Sequence, residues 1–239
     1  GELADTFNQM IGKLQHYREE IEKETSIRDH FQRYLPPHLV TQLVDTGKTM
    51  LFTETLLKEA TVLFVDITGF TPITERLPPQ LTTAYLDRFF SISTEIIFRY
   101  KGTIDKFIGD CIMALFGVPY SQPDSEEKAV LAATEIIRHL NLQKEVFEKE
   151  YGHAIQVKVG IATGEVIVGN IGSQQRLDYT AIGKPVNRAS RLQNLANPNE
   201  ILIDEWTRKN VSEKIAVDYI GNKQIKGIEK MVSIFKVLI

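Results

Sequence analysis

The chain has 239 residues, of which 43% are hydrophobic and 25% charged, with a net charge of −3; this is the profile of a globular protein with one large domain, or one ordinary domain and an appendage. There is no basic excess to meet a phosphodiester backbone, which argues against nucleic acid as a partner. A lone cysteine, Cys111, leaves no internal disulfide and no cysteine-rich metal cluster and fits a reducing, cytoplasmic setting, and no apolar run reaches the roughly 18 residues that cross a bilayer.

Along residues 1 to 30, Leu3, Met10 and Tyr17 recur at intervals of seven, as do Phe7, Leu14 and Ile21, with Lys13, Arg18, Glu19, Glu20 and Glu22 between them. The spacing predicts a heptad seam that pairs with a second copy of the chain. An amphipathic helix packed on its own domain is the other reading. Pro36 and Pro37 end the segment, because neither continues a helix. The expected organisation is a signalling helix and linker over 1–35, a connector over 36–57 and a globular domain over 58–239.

The domain opens with Thr61-Val-Leu-Phe-Val-Asp66, a β-branched and aromatic run that reads as a strand buried on both faces. Asp66 closes it either as a cap on the Thr68-Gly69 turn or as a carboxylate that needs a cation. A helix follows over 79–100, with Leu86, Phe89, Ser93, Ile97 and Tyr100 as its buried stripe. Residues 103–116 read as a hairpin with Gly109-Asp110 at the tip. A second helix over 124–148 and a strand over 155–162 complete the order strand, helix, hairpin, helix, strand. Further strands at 165–171, 177–182, 200–203, 215–220 and 232–238, and a helix at 185–196, follow. The predicted fold is α+β, with a ferredoxin-like βαββαβ core, additional C-terminal strands and helices, and the N-terminal helix before it.

In that plan the first strand is central and pairs with the hairpin, so Asp66 and Asp110 become neighbours. Two close carboxylates repel unless they are protonated or bridged, and two divalent ions held by hard oxygens would keep both ionised. A pair of ions about 4 Å apart activates an attacking oxygen and stabilises charge on a phosphate together. Two unrelated turn aspartates are the alternative. The loop through Phe70 and Thr71 offers backbone N–H groups to a polyphosphate. Pro185 sits where a helix begins, and Asn187 and Arg191 share one face of it. That pairing suits phosphate oxygens in a five-coordinate arrangement, or is an ordinary solvated face.

Four segments, Phe64-Val-Asp66-Ile-Thr-Gly-Phe-Thr71, Lys106-Phe-Ile-Gly-Asp110, Val159-Gly-Ile-Ala-Thr-Gly164 and Gly183-Lys-Pro-Val-Asn187-Arg-Ala-Ser-Arg191-Leu192, resemble in order and spacing the class III nucleotidyl cyclases, the adenylate and guanylate cyclase catalytic domains. The resemblance implies conversion of a nucleoside triphosphate to its 3′,5′-cyclic monophosphate with release of pyrophosphate. By position it implies that Asp66, Asp110 and the backbone oxygen of Ile67 hold two Mg²⁺ or Mn²⁺ ions. It implies that Asn187 orients the ribose, that Arg191 stabilises the α-phosphate and that Lys158 and Lys226 meet phosphates. Lys106, where guanylate cyclases carry glutamate, and Thr180 imply ATP as substrate. A Lys/Thr pair is similar to that of a bacterial, especially cyanobacterial, and bicarbonate-responsive subgroup, which implies bicarbonate regulation. The family also implies a homodimer with two shared sites. Guanylate cyclase activity, or a catalytically silent nucleotide-binding dimer, are the rival readings. The opening Gly1 to Met10 resembles the last helix of HAMP signal-relay modules, which implies an upstream sensor and a membrane-anchored parent.

Overall fold

A computed structural model describes residues 55–173, 175–225 and 231–239 together with Arg18 and Thr25, with backbone alone at positions 176 and 177. The heptad positions, the Pro36-Pro37 linker and Lys226 lie outside the described residues. The unit described here belongs to the part of the chain that begins at Met50.

Strand β1 (Leu56–Ile67) is the sheet's organising element. From Ala60 to Val65 every residue is buried, as its unbroken apolar run requires. Leu63, Val65 and Ile67 enter one core and Ala60, Val62 and Phe64 enter another on the opposite face, following the two-residue period of a strand. Each large apolar side chain buried this way contributes about 1.5–3 kcal/mol. Helices α1 (Phe70–Arg76) and α2 (Pro79–Arg99) come next. Strands β2 (Thr103–Ile108) and β3 (Cys111–Phe116) form the expected hairpin, turning at Gly109 with φ 63°. Then follow α3 (Ser125–Leu142), α4 (Lys144–Tyr151), β4 (Val157–Ser173), β5 (Arg176–Ile182) and α5 (Lys184–Leu195). The chain continues through β6 (Glu200–Asp204), α6 (Glu205–Asn210), β7 (Val217–Lys223) and β8 (Val232–Val237).

Among the described residues eight strands make one sheet, ordered β2-β3-β1-β4-β6-β8-β7, with β5 on the far part of β4. The first four, β4-β1-β3-β2, are the antiparallel ferredoxin-like core. Helices α2, α3 and α4 pack on one face through Phe89, Ile97, Ile136 and Phe147. Helix α5 covers the other through Ala189 and Leu192.

Three details depart from the sequence expectation. The buried stripe of α2 is Tyr85, Phe89, Ser93, Ile96 and Ile97, turned slightly so that Leu86 and Tyr100 are only half-buried. The helix expected over 124–148 breaks at Gln143, whose ψ of 0° leaves the helical range. The break turns Phe147 and Tyr151 onto the Tyr85 ring, at 5.1 and 5.3 Å between centroids. The two strands expected at 155–162 and 165–171 are one strand, because pairing with β1 runs on past Gly164 to Val168 and pairing with β5 then carries it to Ser173.

Gly160 sets how α5 sits. A Cβ there would lie 2.2 Å from the Ala189 carbonyl oxygen and 2.2 Å from the Gln193 nitrogen, so only a bare backbone lets helix and strand approach this closely. Gly160→Ala is expected to destabilise the domain by about 3 kcal/mol or more, the upper range of overpacking, read as a lowered urea midpoint at unchanged slope.

Candidate active site

The register of β1 places Asp66 opposite Cys111 on β3 and opposite Lys158 on β4. Alternation puts Asp66 on the same face as Ala60, Val62 and Phe64, the face that α5 covers. Asp110 immediately precedes Cys111, at the hairpin tip. Each carboxylate faces the other's strand: the Cys111 thiol, which donates to the Ile112 carbonyl at 3.8 Å, lies beside Asp66, and the backbone N–H of Ile67 lies beside Asp110. Burial first, and the Asp110 charge second, push the Asp66 carboxyl from 3.8 up to about 6. Burial likewise raises Asp110. Burial and the two carboxylates raise the Cys111 thiol far above its usual range, which keeps it a neutral donor.

This donor set fits divalent cations. Its ligands are hard oxygens, and its two carboxyls are held near enough, against their repulsion, for the Asp110 charge to raise Asp66, one at the end of β1 and one at the tip of the β2–β3 hairpin. Among the described residues no group of three or more His, Cys, Asp or Glu side chains gathers to hold a metal, so this site offers a pair of carboxylates rather than a closed cage.

Helix α5 carries Asn187 and Arg191, four apart on its exposed side. Between them Arg188 turns inward. Its Nη2 donates to the Thr163 carbonyl at 2.8 Å and its Nε meets Asp204 at 2.5 Å. Asp204, 3% exposed, also accepts from the Thr207 N–H at 2.8 Å and from its hydroxyl at 2.7 Å. The clamp fixes α5 to β4 and β6, and so fixes where Asn187 and Arg191 stand; removing one partner of such a buried pair costs about 3–5 kcal/mol.

Lys106 and Thr180 are brought together through a residue the motifs did not single out. Asp105, whose side chain is fully enclosed, lies 3.5 Å from Lys106 Nζ. It accepts from the Thr180 hydroxyl at 2.9 Å and from the Ala181 N–H at 3.3 Å. Thus β5 reaches β2, although β3 and β1 separate β2 from β4 in the sheet.

Of the remaining expected positions, Lys158 lies beside Asp66 on the neighbouring strand. Phe70 and Thr71 open α1 behind Gly69, whose φ is 67°; the Phe70 ring stacks on Tyr85 at 6.4 Å. The N–H of Thr68 is engaged with the Gln156 carbonyl at 2.8 Å. The structure therefore forms two clusters within one chain, Asp66 with Asp110 and Lys158, and Lys106 with Asp105 and Thr180. Among the described residues no hydrogen bond or ion pair links Asn187 or Arg191 to either. Asp105, Cys111 and Arg188 were missed. Only Asp105 carried a signal, an acidic residue beside a lysine inside an otherwise apolar strand.

Residues 53–237 match the model of the adenylate and guanylate cyclase catalytic domain. The chain belongs to this family. It is similar to the adenylyl cyclase CyaB of Pseudomonas aeruginosa, with 35% identity and a TM-score of 0.75 over 77% of this chain and 96% of that one. It is also similar to the guanylyl cyclase Cya2, with 32% identity and a TM-score of 0.73 over 77% of this chain and 93% of that one. An uncharacterised protein of Mycobacterium tuberculosis, Rv1319c, is 36% identical over 89% of this chain. The chain spans 37% of that relative's length. The fold and the four motifs are thus those of a class III nucleotidyl cyclase domain.

The raised Asp66 carboxyl makes a stability prediction. A native pKa of about 6 against an ordinary 3.8 means that the folded state takes up a proton more readily than the unfolded one. The charged form is therefore a burden above pH 6, and the burden fades as pH falls from about 6 to 3.8. In chelator-treated protein, Asp66→Asn is expected to raise the unfolding midpoint at pH 7.5, with the gain shrinking progressively towards pH 4; thermal melts across that range check it.

Proposed function

We propose that this domain is an adenylate cyclase, forming 3′,5′-cyclic AMP and pyrophosphate from ATP at two equivalent sites shared between two copies of the chain. The observation that carries the reading is the Asp66–Asp110 pair, two carboxyls raised by burial, one at the end of β1 and one at the tip of the neighbouring hairpin. Asp66, Asp110 and the Ile67 carbonyl are the ligands for two Mg²⁺ or Mn²⁺ ions. When bound, such ions lower the pKa of the ribose 3′-hydroxyl and offset charge gathering on the α-phosphate.

The chain's own groups supply the rest. Lys158, beside Asp66, and Lys226 meet phosphate oxygens, and the N–H groups of Phe70 and Thr71 at the start of α1 face the triphosphate. Asn187 hydrogen-bonds the ribose and holds its 3′-oxygen in line with the α-phosphate. Arg191 places a planar, permanently charged donor fork against the oxygens that gain charge. Lys106 donates to adenine N1, and the Thr180 hydroxyl accepts from the adenine amino group.

Exposure of Asn187 and Arg191, away from any engagement with the carboxylates, supports their serving the carboxylates of a second copy. A two-fold dimer of identical chains then holds two complete sites. Asp66→Ala and Arg191→Ala proteins are each expected to be inactive, while mixing them should restore activity towards about a quarter of wild type, because random pairing yields half heterodimers with one intact site each. Absence of rescue by folded, dimeric variants would overturn the shared site. Substrate choice is read directly from products: cyclic AMP from ATP is expected to exceed cyclic GMP from GTP with either Mg²⁺ or Mn²⁺, and the reverse ratio would assign the domain to guanylate cyclases.

A further inference from the structure

We propose that Asp105 is the positioning residue for base choice, acting by fixing the direction of the Thr180 hydroxyl. The inference rests on the reading of Lys106 and Thr180 as the adenine-facing pair. Asp105 is enclosed, and three groups converge on its carboxylate: the Ala181 N–H at 3.3 Å on Oδ1, and the Thr180 hydroxyl at 2.9 Å and the Lys106 ammonium at 3.5 Å on Oδ2. An amide N–H and an ammonium can only donate, so the carboxylate is the acceptor for its neighbours. Burial raises the Asp105 carboxyl, and the bond from Thr180 and the charge of Lys106 oppose that rise.

A threonine hydroxyl is ambivalent, with one proton and two lone pairs. With its proton given to Asp105, Thr180 presents lone pairs alone to a ligand, while Lys106 presents only protons. Acceptor beside donor matches the amino group and N1 of adenine. It opposes the O6 and N1–H of guanine, which carry the reverse order. Without Asp105 the hydroxyl turns freely and can donate to O6.

The backbone is built for this arrangement. Regular alternation would send Asp105 and Lys106 to opposite faces, but the β2–β3 register jumps between Ile104 and Lys106. Such a bulge re-aims a side chain. Here it lets the carboxylate and the ammonium of consecutive residues meet, on the face that Lys106 shares with its partner Met113. Lys106 keeps 36% of its side chain exposed and Thr180 7% of its surface, so the pair retains an outward edge while Asp105 stays behind it.

The test compares kcat/KM for ATP, GTP and purine riboside triphosphate, which lacks the amino group, in wild-type and variant full-length chains checked for folding by thermal melts. Asp105→Asn is expected to reduce the advantage of ATP over purine riboside triphosphate about tenfold, the worth of one good hydrogen bond, and to raise relative use of GTP. Adding Thr180→Asp to Asp105→Asn should restore the advantage, since a carboxylate accepts whatever its neighbour does. Equal loss for all three nucleotides would overturn the proposal and leave Asp105 a strand brace. A second readout needs no variant: wild-type protein should use the 6-ethyl and 6-methoxy purine nucleotides alike, and a clear preference for 6-methoxy would show a freely turning hydroxyl and overturn it. Failure of the underlying reading looks different, because Lys106→Glu and Thr180→Val would then leave the wild-type ATP to GTP ratio untouched.

Discussion

The site depends on the register of β1 between β3 and β4. With Thr61 opposite Phe116 and Thr163, the alternating side chains divide cleanly between two cores, and Asp66 falls on the α5 face opposite Cys111 and Lys158. A slip of one residue would send Asp66 into the core beneath α2 and α3 and bring Val62 and Phe64 out of theirs. Such an error buries a charge and strips several apolar side chains of their contacts at once. The hydrophobic pattern therefore specifies the position of the carboxylate more strongly than any polar contact of its own does.

The same face must also seat α5, the helix on which the proposed ribose- and phosphate-binding residues Asn187 and Arg191 lie. Gly160 lets α5 lie directly on β4, and Arg188 ties it by way of Thr163 and Asp204. The two devices act on different coordinates. The bare strand sets the distance, and the guanidinium fork, with fixed donor directions, sets rotation about the helix axis. Asn187 and Arg191, four apart, share the exposed side of α5, and the anchored Arg188 beside them holds the helix at that rotation. The seat of α5 is in this sense part of the site without touching a ligand.

Much of this was legible in the sequence. The β-branched run ending in Asp66, the Gly109-Asp110 hairpin and the Pro185 helix start are local signals, and each formed where its residues indicated. What was lost was lost for physical reasons. Gly164 reads as a break, yet the pairing of β4 with β1 continues through it, since a strand is sustained by neighbours that the sequence does not show. Gln143 interrupts a helix that every local propensity would continue, because Phe147 and Tyr151 gain more by turning onto Tyr85. Asp105 and Thr180 lie 75 residues apart and meet only through the fold. Their hydrogen bond could not be read from either segment, although the Lys106 and Thr180 positions themselves could.

Electrostatics separates the buried acids that the fold answers with donors from the pair that it leaves unanswered. Asp204 and Asp105 are both raised by burial, and each is answered only by donors, Arg188 and Thr207 for one, Thr180, Lys106 and Ala181 for the other. Asp66 differs in kind. After burial, its largest perturbation is another carboxylate, and the neutral thiol of Cys111 and the charge of Lys158 only partly oppose it. A protein selected for stability alone would replace one of two such neighbours with an amide or move a cation between them. Retaining both, one on a strand end and one on a tight turn, keeps a concentration of negative charge that the fold itself does not neutralise. The imbalance is local, fixed by strand register, and open to a ligand that brings positive charge, which is the electrostatic condition for holding divalent ions against a triphosphate.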